Sequence, residues 1–232
     1  MNTMNMGMAL PGWLTPVSWV FVALGVVSAA LVLYDIFGRR HRQSYAAMDV
    51  VWPVSALYLG PFGVWAYHRW GAPRSLARED HASPGGENLP GRVLTGSTPG
   101  GAAATIGHFI GVPIVVASGL TIAGTDLWVM IIVIALLAIV LLFAFEYFLP
   151  GSATFSSSRA NARVALLRAA VTVLAFDIGM GGWMVLLHYG NFMPAPADIS
   201  FVFLMQVGLI LGTLTAYPVV RVLLRHRVAV SA

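Results

Sequence analysis

The sequence contains no cysteine and no lysine, and only 9% of its 232 residues are charged. Because cysteine is absent, disulfide bonds, thiolate metal sites and iron–sulfur clusters are excluded. A soluble domain usually carries about 25% charged residues, so the low charge excludes an ordinary soluble domain. Hydrophobic residues make up 58% of the chain, which is typical of a protein built from membrane-spanning segments.

The motifs of soluble enzymes are also missing, including the phosphate-binding loop, the nucleophile elbow and the H-E-x-x-H zinc motif. We therefore predict no catalytic residue, and an enzyme is the least favoured class. No segment alternates apolar and polar residues over about ten positions, as the strands of a membrane β-barrel do. The predicted fold class is therefore all-α, a polytopic transmembrane helical bundle.

Six apolar segments are long enough to cross a bilayer, which takes about 20 residues. They cover residues 13–37, 44–70, 102–123, 127–149, 163–189 and 199–224. A stretch rich in glycine, proline and serine at about 71–101 predicts a solvated cytoplasmic loop. Apart from that loop, the whole chain, 1–232, is predicted to form a single transmembrane helical domain.

The second apolar segment contains Pro53 and the pair Gly60-Pro61, and it allows two topologies. If it crosses the membrane, the bundle has six crossings. If it is re-entrant, there are five crossings and all thirteen arginines lie on one side. We favour six crossings, because the segment is long enough and proline is tolerated in membrane helices. Five crossings plus one re-entrant segment is the alternative.

The arginines occur in short clusters beside the apolar segments, where they orient a chain and contact lipid headgroups. They occur in the long loop, in the link that follows residue 149 and near the C-terminus, but not in the links near 124 and 190–198. By the positive-inside rule the C-terminus is cytoplasmic. The expected location is the bacterial cytoplasmic (inner) membrane, with the lipid bilayer as partner and no nucleic acid.

Asp177 lies near the centre of the fifth apolar segment, where an isolated charge costs a few kcal/mol or more. Met180, Met184 and His188 follow at helical spacing and share its face. Carboxylate, thioether and imidazole groups together can ligate a soft or borderline metal such as copper. The alternative for the methionines is that they only fill the bundle. For Asp177 we predict a function, because ionisable residues inside membranes are usually functional.

Gln206 lies near the start of the sixth segment, just before Gly208 and Gly212. Small residues four apart permit close packing of membrane helices, so we expect the fifth and sixth segments to be in tight contact. That contact would bring the last segment against Asp177. We therefore predict Gln206 as the polar partner of Asp177.

His108 and Asp49 are the other polar candidates. His108 is a candidate metal ligand, haem ligand or proton carrier, or it makes one interhelical hydrogen bond. A haem is less favoured than a metal ion, because no second histidine lies at a matching depth. Asp49 is an ion-binding candidate near the end of the second segment, where the interface alone could also satisfy it.

Five runs of sequence are distinctive: MDVVWPVSALYLGP at 48–61, WAY at 65–67, DIGMGGWM at 177–184, MQVG at 205–208 and TAYP at 215–218. Together they resemble a bacterial integral membrane family known as domain of unknown function 4396. The resemblance covers about Arg39 to Leu224 without the long loop. It implies a helical membrane protein and carries no established activity.

Members of that family tend to have a His-Cys pair, followed shortly by a second cysteine, in the third segment. His108 matches the histidine, but Phe109 replaces the first cysteine and Val112 and Pro113 occupy the region of the second. If the thiols bind metal in relatives, this chain has lost them. The departure weakens a copper assignment.

The sequence allows three functions. The first is binding or moving a metal ion (copper-like) or another cation, with a metal site formed by His108, Asp177, Met180 and Met184 and further contacts from Gln206 and Asp49. The second is a proton-coupled carrier of a small solute, in which Asp177 titrates. The third is a non-catalytic subunit or scaffold, as a homo-oligomer or with a partner membrane subunit. We rank metal or cation handling first, with copper or another transition-metal ion as cofactor.

Overall fold

A computed structural model describes residues 11–41, 47–72, 89–148 and 162–230, and for residues 89, 90, 92 and 225–230 it describes the backbone alone. These residues form seven α-helices: α1 Leu14–Leu33, α2 Met48–Leu59, α3 Pro61–Ala66, α4 Leu89–Ser118, α5 Leu127–Phe148, α6 Ala162–Tyr189 and α7 Ile199–Val230. α1 and α3 continue into π-helical turns, Tyr34–Gly38 and Tyr67–Gly71. The predicted all-α fold is confirmed.

Five helices are long and apolar enough to cross a membrane: Leu14–Gly38, Val93–Ser118, Leu127–Tyr147, Ala162–Tyr189 and Ile199–Leu224. Large apolar side chains such as Phe21, Leu136 and Leu167 lie exposed on their outer faces. Lipid contact explains this exposure, because a soluble surface rarely shows apolar patches of such extent. Length and composition thus make the chain a multi-pass membrane protein.

The second apolar segment is present but folds back on itself. α2 ends at Leu59, and the next residue, Gly60, has a φ of +57°, which is readily adopted only by glycine. Pro61 then begins α3. The ring of Trp52 in α2 lies 5.7 Å from that of Tyr67, in edge-on contact, so the two arms are side by side. This hairpin, residues 48–71, corresponds to the re-entrant alternative rather than to the favoured sixth crossing.

The hairpin is tied to the end of α1 by Asp35. The Tyr67 hydroxyl donates a 2.8 Å hydrogen bond to Asp35 Oδ2. Arg39 and His41 also approach the Asp35 carboxylate, at 3.6 Å and 3.3 Å. The returning arm therefore ends beside the point where α1 ends, which is the geometry of a re-entrant element.

α1 and α7 run in the same direction, since Phe21 lies 5.2 Å (ring centroids) from Phe203 and Gly25 lies against Gln206. Neighbouring helices α4–α5 and α6–α7 are antiparallel, as four glycine contacts show: Gly107 with Ile134, Gly100 with Leu142, Gly212 with Phe176 and Gly208 with Met180. One end of the bundle therefore holds both ends of the hairpin, the last residues of α1, α5 and α7 and the first residues of α4 and α6.

We call this end of the bundle the arginine end. It carries every arginine on the described backbone: Arg39, Arg40, Arg69, Arg92, Arg163, Arg168, Arg221, Arg225 and Arg227. The opposite end carries Asp126 and Asp198 and, over the same described ranges, no arginine. The re-entrant hairpin is what makes this separation possible, because a sixth crossing would send the end of α1 to the other side.

The predicted loop at 71–101 is shorter than expected, because α4 begins at Leu89. Glycines that suggested a loop instead allow close helix contacts. Gly91 lies against the Trp70 indole, and Gly101 against the Tyr58 hydroxyl, where any side chain would collide. Residues 73–88 of the predicted loop lie outside the described residues.

Three apolar clusters hold the described helices together, and the smallest of them joins Val93 of α4 to Val220 and Leu224 of α7. The largest lies among α4, α5, α6 and α7 and includes Leu127 and Phe176. The second lies between α1 and the hairpin and includes Val32 and Trp52. Lipid is as apolar as these side chains, so close van der Waals contact rather than a hydrophobic driving force favours such helix packing.

Candidate functional site

Asp177 lies near the middle of α6 and is partly exposed. Its neighbour Ile178 is 73% exposed, whereas Phe176 is buried against α7. Within the described residues Asp177 has neither a hydrogen-bonding partner nor an ion pair. The carboxylate therefore occupies the flank of the helix, between the packed face and the lipid-exposed face.

Met180 and Met184 lie on the packed face of α6, each only 1% exposed. The thioether of Met180 occupies the space next to Gly208 of α7, so it fills the contact between the two helices. Both methionines belong to the largest apolar cluster. Among the described residues, no three His, Cys, Asp or Glu side chains come together as a group that could hold a metal ion.

The sequence predicts Gln206 beside Asp177, but Gln206 lies on the face of α7 that points away from α6. Its Nε2 donates a 2.8 Å hydrogen bond to the carbonyl oxygen of Leu57, in the last turn of α2. The reason is helical geometry: Gly208 and Gly212 face α6, and a residue two positions before Gly208 points about 200° away. The predicted pairing of Gln206 with Asp177 is therefore wrong, because Gln206 and the two glycines lie on different faces of α7.

A pocket of about 390 Å³ lies among α1, the hairpin, α4 and α7, away from the arginine end. We call it the central pocket. Its lining is mostly apolar, formed by Val22, Val26, Leu57, Phe109, Val112, Pro113, Pro196, Phe201, Val202, Met205 and Leu209. Four polar side chains complete the lining: Tyr58, Thr105, His108 and Gln206. Asp177, Met180, Met184 and Asp49 do not line it, and Asp49 is buried in the first turn of α2.

His108 is almost completely buried, and its two ring nitrogens have different surroundings. Nδ1 lies 2.8 Å from the carbonyl oxygen of Ala104, one turn earlier in α4. A carbonyl can only accept a hydrogen bond, so Nδ1 carries a proton, and in the neutral ring Nε2 is then an acceptor. Nε2 is buried, and no described residue donates to it.

The amide of Gln206 is divided in the same way. Its nitrogen donates to Leu57, while its oxygen Oε1 is buried without a partner among the described residues. A side chain on Gly25 of α1 would collide with both the Leu57 carbonyl and the Gln206 amide. Glycine at that position therefore lets α1, the hairpin and α7 meet at this hydrogen bond.

Thr105 is a pocket residue that the sequence did not single out. Its hydroxyl donates a 2.8 Å hydrogen bond to the Gly101 carbonyl. The available signal was its position three residues before His108, which puts both on one face of a helix. Tyr58 contributes its ring, while its hydroxyl lies against Gly101 and near Thr213.

Residues 91–228 match the family described as Domain of unknown function (DUF4396). The chain belongs to this family. The match covers α5, α6 and nearly all of α4 and α7. It includes His108, Gln206 and the runs at 177–184, 205–208 and 215–218, whereas the runs at 48–61 and 65–67 precede it. Neither a curated protein nor a solved structure matches the chain.

In this DUF4396 chain the residues at the expected cysteine positions all line the central pocket. Phe109, Val112 and Pro113 follow His108 along the same wall of α4. Phe109 is 67% exposed and therefore lies at the rim, where the pocket meets the surroundings of the bundle. α4, the first helix of the family match, thus offers an imidazole and apolar groups, and no thiol, to the pocket.

Proposed function

We propose that this protein is a membrane carrier for a small, largely apolar solute, which it binds in the central pocket. The observation that carries the proposal is a pair of buried acceptor atoms, His108 Nε2 and Gln206 Oε1. Neither has a partner among the described residues, and both side chains line the same pocket. Leaving a buried polar group unpaired costs about 1–3 kcal/mol. Both atoms are covered by protein, so a solute recovers that cost only when the side chains around the pocket shift to admit its polar end.

The broken helix beside the pocket supports a carrier. Leu57 and Tyr58, which line the pocket, belong to the last turn of α2, just before the break at Gly60. Non-helical backbone inside a membrane is tolerated where it is covered by protein or lines a cavity. Many transporters form their solute sites from such discontinuous helices near the middle of the bilayer.

Metal or cation handling, ranked first from the sequence, has less support from the geometry. Of the proposed ligands, only His108 lines the pocket, and Met180 and Met184 lie in the apolar core. A metal site at Asp177 stays a prediction, as do proton coupling through Asp177 and a role as a subunit or scaffold. The pocket favours the second of the sequence-based hypotheses, a carrier of a small solute.

The arginine end is proposed to face the cytoplasm. The described arginines are confined to it, and cytoplasmic ends of membrane helices carry an excess of Lys and Arg. This orientation puts the C-terminal end of α7 in the cytoplasm and the start of α1 outside. The expected membrane is the cytoplasmic (inner) membrane of a bacterium.

Filling the pocket tests the carrier proposal. We expect full-length protein in lipid nanodiscs to be stabilised against thermal unfolding by cyclohexylmethanol or cyclohexylmethylamine. Val112→Trp, which fills the pocket from α4, should abolish this stabilisation. Val116→Trp is the matched control, because Val116 is one turn further on, half exposed and outside the pocket lining.

A second measurement addresses transport itself. In proteoliposomes at pH 6, where cyclohexylmethylamine is almost entirely cationic and crosses lipid slowly, we expect counterflow of labelled amine with the native chain and with Val116→Trp. Val112→Trp should show none. Equal stabilisation of both tryptophan variants would refute the pocket as the solute site, and binding without counterflow would refute the carrier.

The orientation is testable because the chain has no cysteine of its own. Single cysteines at Trp13, His68 and Ala197, all exposed positions, can be labelled in intact cells with a membrane-impermeant maleimide. We expect Trp13→Cys and Ala197→Cys to react, and His68→Cys to react only after the cells are permeabilised. If Trp13→Cys behaved like His68→Cys, the second segment would cross and the bundle would have six crossings.

A further inference from the structure

We infer that the central pocket selects a solute whose polar end donates hydrogen bonds, as an alcohol or a primary ammonium does, and rejects one whose polar end can only accept them. The inference rests on the proposed function and specifies the class of solute. It follows from how the polar side chains of the pocket are held by the backbone.

Three polar side chains of the pocket use their donors on backbone carbonyls. His108 Nδ1 faces the carbonyl of Ala104, the Thr105 hydroxyl faces that of Gly101, and Gln206 Nε2 faces that of Leu57. Because a carbonyl oxygen only accepts, each contact fixes which atom of the side chain carries the hydrogen. A flipped Gln206 amide would bring two oxygens together and lose the bond.

The Tyr58 hydroxyl is a donor, but its neighbours are Gly101, Thr213 and Ser55, none of which lines the pocket. The atoms left for a solute at His108, Thr105 and Gln206 are therefore acceptors. They are Nε2 of His108, Oε1 of Gln206 and the remaining lone pairs of the Thr105 hydroxyl. The first two are buried and, over the described ranges, unpaired. A solute with an O–H or N–H group can pair with them, whereas an ether, ketone or carboxylate would place acceptor against acceptor.

The end of α2 adds a field of the same sign. Leu57 and Tyr58 lie in its last turn and line the pocket. The C-terminal end of a helix carries a partial negative charge, which favours donors and cations nearby. The backbone and the side chains thus have the same preference.

The rest of the pocket defines the body of the solute. At about 390 Å³ it is near the lower end of the usual range for ligand pockets, about 300–1,000 Å³. Apart from the acceptors its walls are aliphatic, aromatic and proline side chains, with Met205. A compact hydrocarbon body that carries a single donor-bearing end fits both features.

Four probes with the same ring test the selectivity: cyclohexylmethanol, cyclohexylmethylamine, (methoxymethyl)cyclohexane and cyclohexanecarboxylate. With the full chain in nanodiscs at pH 7, we expect the alcohol and the ammonium to bind at least about tenfold more tightly than the ether and the carboxylate. A site built to pair with a donor discriminates strongly against an analogue that lacks it.

Two variants and a control locate the selectivity. His108→Phe and Gln206→Met each remove one buried acceptor, and each should lower the affinity for the alcohol about tenfold and reduce its advantage over the ether. His188→Phe makes the same exchange near the end of α6, outside the pocket lining, and should change neither quantity. If His108→Phe does not fold, Gln206→Met carries the test alone.

Different results separate this inference from the proposed function. If the ether or the carboxylate bound as tightly as the alcohol, donor selection would be refuted while the pocket stood. The same holds if the preference for the alcohol survived in both variants. If none of the four probes bound, or if Val112→Trp left their binding intact, the solute site itself would be refuted.

Discussion

The two sides of α7 in its N-terminal half are used in opposite ways. Toward α6, Gly208 and Gly212 admit Met180 and Phe176, and the contact is filled by apolar side chains. Toward α1, the hairpin and α4, the same helix leaves the central pocket open. We call the close contact between α6 and α7 the seam. The other side of α7 has an unpaired polar atom, Gln206 Oε1, beside the central pocket.

A residue of obvious chemistry does not by itself define a site in a membrane bundle. Asp177 is the only acidic residue near the middle of its helix, yet it lies on a flank without a described partner. His108 and Gln206 both line the central pocket. Each has one hydrogen-bonding atom with a partner and one buried atom without a partner among the described residues. Because two such side chains line one pocket, the central pocket is favoured over Asp177 as the solute site.

The largest effect is expected in the seam between α6 and α7. A Cβ on Gly179 would lie 2.5 Å from the Leu211 carbonyl oxygen and 2.6 Å from its carbon, both backbone atoms that cannot rotate away. Gly179→Leu should therefore force the helices apart and lower the free energy of unfolding by about 3 kcal/mol or more. Unfolding in detergent measures the loss.

Gly182 provides the matched control, because the same helix carries it with no atom within 4 Å of an added Cβ. Gly182→Leu places its side chain toward lipid and should leave stability unchanged or raise it by less than about 1 kcal/mol through better helix propensity. Equal losses for the two variants would mean that α6 does not pack on α7 through Gly179.

The next largest effect is expected where α1, the hairpin and α7 meet. A side chain at Gly25 collides with the Leu57 carbonyl and the Gln206 amide. Gly25→Ala should cost about 1–3 kcal/mol of stability and break the bond that orients Gln206. Binding of cyclohexylmethanol should therefore weaken as well, unlike in Gly179→Leu variants that still fold.

Ala23→Val, on the exposed side of α1, is the control for added volume on the same helix. It should change neither stability nor binding. If Gly25→Ala reduced stability without affecting binding, the Gln206–Leu57 hydrogen bond would have no part in forming the pocket.

Much of the fold was predictable because lipid imposes a simple rule on sequence: spanning helices need long apolar runs. The ends of α5 and α6, and of α1 taken with its π-helical turn, fall within a residue of the expected positions, and the family resemblance is confirmed. The boundary near 89–101 was not predictable from composition. Glycine permits both a loop and a close helix contact, and only the neighbours Trp70 and Tyr58 decide which.

The candidate site was less predictable, because it depends on contacts between distant segments. His108 and Gln206 were both predicted as site residues, but in separate roles. Their common volume exists only because Gly60 breaks the second segment and brings Leu57 to Gln206. The sequence does not indicate Thr105 as a site residue, because the hydroxyl of a helical threonine usually donates to a carbonyl of the preceding turn, as this one does to Gly101.

Smaller effects are expected on the packed face of α6. Met184→Leu conserves volume in the apolar core and should cost less than about 1.5 kcal/mol, with solute binding unchanged. Elemental analysis of the purified native chain and this variant should show the same metal content. A bound metal that is lost in Met184→Leu would restore the metal site predicted from the sequence.

The smallest effect on stability is expected from Asp177→Asn. This variant also tests whether the α6–α7 contact and the central pocket act separately. The carboxylate has no described partner to lose, so the isosteric amide should shift the free energy of unfolding by less than about 1 kcal/mol. Binding in the central pocket should be unchanged, since Asp177 does not line it.

Counterflow of cyclohexylmethylamine by the Asp177→Asn variant then distinguishes two roles of Asp177. If flux loses its pH dependence while binding persists, Asp177 couples protons to a solute held elsewhere. If binding itself falls, the separation between seam and pocket is wrong.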